Sequence, residues 1–450
     1  MSVVFWVIAS LIVIGVAFGI AVALRFVQIK RWLWLSALST TFMFYALPIA
    51  GVYLSVNLLS GLAAVRSVFD LRLWRVLWVK LAAAMTACLV VSMAWSPSPI
   101  SGFRDLVYTL PFFFICAAAM QCSLSDKAFA KRVLGGLVVL ASIQAILVII
   151  FRLSPTIEAR FITSRLAQFF ISPNVIAGLF SGSPNNIFDP GKAGGLFVNA
   201  NAAAAYMGCI AMVGWYLGRA ERWWVVSACA ALSWCAVFFT GSKAGTICAV
   251  FIPSFQVGLT VLRAKRVGIA TAALVCFLVA AGALAAPFVW LAYTKTGFTQ
   301  ASTETLSVRQ VIWSFAWSMF KQHPFGGLGH GGWEERFPLY ALALGINPNY
   351  PAHNAFIILW SKGGLLAGIC GIGFAASFLQ WAFANSFRLS SEASRTFCLG
   401  LAWGFLWVLI QALGENFGLI GEPHIASLLA IASGIAIGEH LQSTTNNDRD

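Results

Sequence analysis

The sequence predicts an all-α fold, a polytopic transmembrane helical bundle of about twelve spans, and three observations predict it. Only 10% of its 450 residues are charged against 60% hydrophobic. Soluble domains carry roughly a quarter charged residues, so this chain lacks the polar surface to cover itself in water. Its mean hydropathy is +0.84. Apolar runs approaching the roughly 20 residues that an upright helix needs to cross a bilayer recur along the whole sequence.

The expected spans are 3–24, 32–64, 78–95, 106–122, 134–151, 196–218, 223–240, 246–262, 268–291, 354–382, 397–413 and 425–438. The first lacks a basic leader region and is too long for a cleaved signal, so it reads as a retained span. The stretch 32–64 is too long for one helix and contains Pro48; it is either kinked or two short spans. Orientation follows the basic residues, which mark cytoplasmic loops. Arg66, Arg72, Arg75 and Lys80 form one cluster, and Lys127, Lys131 and Arg132 a second. Arg219 with Arg222, Arg263 with Lys265 and Arg266, and Arg388 with Arg395 continue the alternation. Arg25, Lys30 and Arg31 fit only if 32–64 crosses twice. The intervening segments face outward, and the chain is one integral membrane domain with two long outward loops, 152–195 and 292–353. Loops of that length are usually functional.

A net charge of +14 invites a nucleic-acid partner, but in a membrane protein it is accounted for by the cytoplasmic loops. No nucleic acid is expected. The ten cysteines lie in or beside apolar segments and read as small buried hydrophobes rather than a disulfide framework.

The second loop carries the densest polar chemistry. Arg309 and Trp313 are one helical turn apart and share a face; a guanidinium fork suits phosphate and stays charged at physiological pH. The run Pro324–Gly332 brings backbone amides close to an anion or else makes ordinary turns. His353, beside Asn354 at the mouth of a span, has the side chain best suited to accept a hydroxyl proton near neutral pH, although a lone histidine there is often structural. Neighbouring cations are expected to keep it neutral. Gly195–Asn201 introduces a span after the first loop; Asn201 orients a ligand or the asparagines merely cap the helix. Thr240–Gly245 is a short outward turn holding Lys243, a ligand cation or a snorkelling lysine. Arg104, Arg160, Arg165 and Arg336 are further outward cations available to an anionic substrate, although Arg104 beside Asp105 also reads as a simple interfacial ion pair. Glu415 and Glu422 flank the last outward loop and either hold the basic residues in place or are solvated. His323, His330 and His353 lack metal-ligand spacing, so neither metal nor cofactor is expected.

Taken together, Gly195–Asn201, Thr240–Gly245, Arg309 with Trp313, Pro324–Gly332, and His353–Asn354 followed by Gly363–Gly364 resemble the bacterial O-antigen ligase and polymerase superfamily. The resemblance covers the chain from about residue 80 onward. Lys243 stands where that family usually has arginine, which keeps the charge but loses the fork. The family's glycine spacing after the His–Asn pair is met only loosely, by Gly364 and Gly368. The resemblance implies a membrane glycosyltransferase of the all-helical type in the bacterial inner membrane, its active site facing the periplasm. The donor would be a glycan on undecaprenyl diphosphate. The acceptor would be a sugar hydroxyl of the lipid A core for a ligase, or of another lipid-linked glycan for a polymerase. Lys243 and Arg309 would hold the diphosphate, and His353 would deprotonate or position the acceptor hydroxyl, with inversion and without metal. A flippase for the same lipid-linked glycan is the rival class; it would place ionisable groups at mid-membrane.

Overall fold

The computed structural model describes residues 29–49, 52–180, 189, 191–263, 297–415, 419–420 and 422–447. The spans expected over 3–24 and 268–291 lie outside them. Apart from one two-stranded hairpin, the described chain is helical. Seven of its helical segments are long and apolar enough to cross a membrane: Leu77–Trp95, Pro99–Ser125, Lys127–Leu153, Ala200–Glu221, Ala355–Arg388, Glu392–Ala412 and Pro423–Thr444. Trp224–Phe239 and Lys243–Val257 are shorter apolar helices.

The stretch 32–64 is not a single span. Helix α1 (Ile29–Phe42) leads into strands β1 (Tyr45–Ile49) and β2 (Val52–Ser55), paired antiparallel, and α2 (Val56–Ala63) turns back. The helix ends where Met43 and Phe44 take positive φ (56° and 51°), and Pro48 follows in β1. Buried hydroxyls hold the two arms together, with Ser36 Oγ 2.9 Å from Ser60 Oγ. Both ends of this segment reach the same end of the bundle. Lys30 pairs with Asp126 at 2.7 Å, and Gln121 donates to the Ser67 carbonyl at 3.4 Å. The segment enters and returns from one end, so Lys30 and Arg31 lie at the same end as the residues that follow Ala63; Arg25 lies outside the described residues.

The long helices alternate. These are α3 (Leu77–Ser92), α4 (Pro99–Thr109), α5 (Pro111–Ser125), α6 (Lys127–Leu153), α10 (Ala200–Glu221), α11 (Trp224–Phe239) and α12 (Lys243–Arg263). After α13 (Gly297–Gln322) and α14 (Gly332–Ala343) come α15 (Ala355–Arg388), α16 (Glu392–Ala412) and α17 (Pro423–Asn447). The first long loop holds three short helices, α7 (Pro155–Ile162), α8 (Ala167–Phe170) and α9 (Pro173–Phe180). Two of them open on proline, whose fixed φ and missing N–H suit the first helical turn.

In lipid there is little hydrophobic gain from bringing helices together, so close approach decides packing. At Gly208 of α10 an added Cβ would stand 1.9 Å from Trp407 Cε2 of α16. Trp407 is itself fully buried, so only glycine leaves room for it. At the basic end the Glu439 carboxylate, 0% exposed, takes Lys131 at 2.9 Å and Lys127 at 3.1 Å. Lys131 also reaches Glu221, so one buried cluster ties α6, α10 and α17. Breaking such a cluster strands a charge at a cost of roughly 3 kcal/mol. Glu439→Leu is therefore expected to lower the thermal unfolding midpoint in detergent clearly, while an exposed change such as Glu392→Gln leaves it within error.

Candidate functional site

At the end opposite that cluster, His353 is placed by the residues on either side. Asn354 caps α15: its Oδ1 accepts from Phe356 N at 2.9 Å and Ile357 N at 3.1 Å. Its Nδ2 donates to the Leu413 carbonyl at 2.9 Å, fixing the start of α15 against the end of α16. On the other side, Trp313 Nε1 donates to the Ala352 carbonyl at 3.1 Å. Held between these anchors, His353 adopts a left-handed φ of 48°. A non-glycine residue keeps such a conformation at a cost of about 1–3 kcal/mol only where its surroundings over-determine it. Its Nδ1 is buried with no hydrogen-bond partner. Burial first, and the Arg309 charge second, hold the imidazole down at about 4. It is therefore neutral at neutral pH.

Arg309 lies one turn before Trp313 on α13, so the helix face that steadies His353 also presents the guanidinium. Arg309 Nη2 stands 3.6 Å from Glu415 Oε1. Glu415 follows α16 and is buried. Burial pushes its carboxyl up to about 7, against the opposing pull of Arg309, a hydrogen bond from Asn201, and Lys192.

Asn201 belongs to the first turn of α10, and that turn is set by its own sequence. Asn199 caps the helix, accepting from Asn201 N at 2.8 Å and Ala202 N at 3.2 Å. Gln144 of α6 then pins the entry from both directions, donating to the Gly194 carbonyl and accepting from Leu196 N, each at 2.9 Å. Asn199 is thus the cap, and Asn201 hydrogen-bonds Glu415.

Lys243 is the first residue of α12. Thr240 Oγ1 accepts from Ser242 N at 3.0 Å, and Ser242 Oγ accepts from Gly245 N at 3.1 Å, which closes the turn and caps the helix. At Gly241, with φ 69°, a Cβ would meet the Gly191 carbonyl oxygen at 2.0 Å. Ala193 N donates to the Thr240 carbonyl at 3.1 Å. This packing carries the end of the first loop onto the turn and brings Lys192 within electrostatic reach of Lys243, which also feels Arg309. Three cations and the N-terminus of α12 thereby bias one region toward anions.

The glycine run does something else. Helix α15 breaks at Gly364 (φ 75°, ψ −173°), which frees a carbonyl and an amide that a continuous helix would pair. Leu328 N donates to the Ser361 carbonyl at 2.6 Å, and Leu365 N donates to the Pro324 carbonyl at 3.0 Å. The run plugs the break. Beside it Lys362 pairs with Asp105 at 3.0 Å and Glu334 at 2.7 Å, locking α4, α14 and α15 together. His330 N donates to Ser92 Oγ at 3.0 Å, and burial holds its ring down at about 4. These amides are committed to protein acceptors, so the turn reading of the run is the one its geometry supports.

The remaining sequence candidates lie elsewhere. Arg160 and Arg165 are exposed on the segment of α7 and α8, and Arg104 is exposed on α4. Arg336 is near His323 Nε2, 3.4 Å away. Among the described residues, none of these four hydrogen-bonds or pairs with Arg309 or His353. Conversely, Gln144 and Lys192, a cation of the first long loop beside Arg160 and Arg165, join the region although neither is among the residues expected at the site. Lys192 carried a usable signal, a cation two residues before a Gly-Gly entry to a span; Gln144 sat inside an apolar run and gave none.

Residues 228–372 match the family model described as O-antigen ligase. The matched segment holds Lys243, Arg309 and His353, whereas Lys192, Asn201 and Glu415 fall outside it. Among curated proteins no match is found.

Proposed function

Because the chain belongs, through residues 228–372, to the O-antigen ligase superfamily, we propose that it transfers a glycan en bloc from undecaprenyl diphosphate to a sugar hydroxyl of the lipid A core, at the periplasmic face of the bacterial inner membrane. Arg309 and Lys243 hold the diphosphate, and Lys192 adds to the field. The hydroxyl attacks the anomeric carbon from the side opposite the diphosphate, which inverts that centre. Fixed cations in a water-poor boundary stabilise the leaving group without further help. His353 stands against the acceptor, deprotonating or positioning its hydroxyl. Arg160, Arg165, Arg104 and Arg336 are assigned to looser contacts along the glycan or with membrane lipids.

The observation that carries this reading is the grouping of Arg309, Lys243 and Lys192 at one end of the bundle, with buried Glu415 beside Arg309 and Lys192 and strained His353 beside Arg309. It favours an enzyme over a flippase, because the grouped residues sit at helix ends, where Lys243 opens α12, His353 precedes α15 and Glu415 follows α16, rather than midway along the spans.

His353→Ala is expected to cut transfer by roughly 10²–10⁴-fold, the range of a lost acid–base or orienting group. Lipid-linked donor then accumulates on the outer side of the inner membrane. Donor trapped on the cytoplasmic side would instead establish a flippase. Complementation of strains lacking either a ligase or a polymerase, read by lipopolysaccharide banding, separates the two acceptors.

A further inference from the structure

We propose that Glu415 is the catalytic base of this transfer and that His353 orients the acceptor hydroxyl without taking its proton; the inference rests on the transfer reading above. An imidazole that serves as base is normally backed by an acceptor on its second ring nitrogen, which fixes the tautomer and offsets the positive charge that forms. His353 lacks that support. Its Nδ1 is buried with no hydrogen-bond partner, and the charge acting on it is the cation Arg309. An imidazolium formed there would be stranded next to a guanidinium.

Glu415 has the complementary surroundings. Its side chain is only 7% exposed, and Arg309 Nη2 stands 3.6 Å from Oε1, longer than the roughly 2.7–2.9 Å of a tight charge-assisted hydrogen bond. Neither partner is locked to the other. A diphosphate, carrying about two negative charges, competes for the guanidinium through its bidentate fork, and the displaced carboxylate is then free to accept a proton. The groups facing Glu415 come from three places: Arg309 on α13, Asn201 on α10, and Lys192 in the segment before it. Lys243 on α12 faces Arg309 and Lys192.

The step balances. The acceptor oxygen bonds to the anomeric carbon as its proton passes to the Glu415 carboxylate. The bond from that carbon to the diphosphate oxygen breaks, and its electron pair leaves with the diphosphate. Release of the proton to the departing diphosphate or to water restores the carboxylate.

The two assignments predict different pH profiles. A base must be unprotonated, so turnover rises with pH through its titration and then levels. The Glu415 carboxyl, raised to about 7, places that limb near neutrality, whereas His353, held at about 4, places it far lower. The experiment uses the full-length protein in nanodiscs with a lipid-diphosphate-linked glycan, measuring donor binding and transfer separately from pH 4 to 9. Glu415→Gln is expected to bind donor, lose at least a hundredfold in transfer and lose the near-neutral limb. Glu415→Asp regains part of the rate, and His353→Gln is slowed but keeps the limb. Thermal unfolding of each variant separates misfolding from lost chemistry, and partial rescue by aspartate excludes a merely structural role. The inference is overturned if Glu415→Gln stays within about fivefold of the parent, or if the limb moves or vanishes in His353→Gln instead. Failure of the unaltered protein to bind donor or make product would sink the transfer reading itself.

Discussion

Arg309→Ala is expected to lower glycan transfer about a hundredfold, equivalent to roughly 3 kcal/mol of transition-state stabilisation, the scale seen when one fixed donor to a developing anion is removed. The same change should hardly unfold the protein. The Arg309 side chain is 28% exposed and stands 3.6 Å from Glu415; without that cation the buried Glu415 carboxyl, already raised to about 7, takes up a proton rather than being left as a stranded charge. Rate therefore falls far more than stability. Arg309→Lys separates charge from shape: it retains the cation but loses the planar fork, and should recover only part of the rate. Transfer and thermal unfolding measured on the same preparations give the ratio. An alanine variant within threefold of the parent would remove Arg309 from the chemistry.

The second large effect is conformational. Gly364→Ala should destabilise the protein by about 3 kcal/mol or more, because two penalties add. Its φ of 75° with ψ of −173° is a region essentially reserved for glycine, costing any other residue roughly 1–3 kcal/mol. The new Cβ would also lie 1.8 Å from the Phe325 carbonyl oxygen, so Pro324–Gly332 would have to leave the break that it plugs. Gly368→Ala is the internal control. It lies in the same helix, and a Cβ there meets Trp360 Cβ at an ordinary 3.5 Å. It should be neutral, or stabilising by up to about 1 kcal/mol through the better helix propensity of alanine. Comparable unfolding midpoints for the two variants would show that the break carries no strain. Because α15 begins at His353–Asn354, transfer should fall with Gly364→Ala even in whatever fraction still folds.

Much of the site was legible locally. Arg309 and Trp313 were assigned one face from their spacing, and that face holds both the guanidinium and the indole that steadies Ala352. The sequence places Asn354 only at the mouth of a span, and there it caps α15. The glycine run was ambiguous because its partner, the break at Gly364, lies more than thirty residues on, and a sequence shows that glycines are permitted to bend without showing what they bend around. The same limit hid the hairpin within 32–64. Its apolar content satisfied a span, while the hydroxyls that join its arms, Ser36 and Ser60, carry no signal until they meet.

Composition and periodicity by themselves determined the solvent this chain folds in and the helical class that lipid imposes. Both follow from transfer free energies and from backbone hydrogen bonds that must close within a segment when no water is present. Only the tertiary structure decided which cations act together. It gathered Lys192, Lys243 and Arg309 and left Arg104, Arg160, Arg165 and Arg336 outside the group. Helix ends meet or miss through small residues, plugged breaks and buried ion pairs far apart along the chain, and the geometry of those long-range contacts is not written in any local pattern.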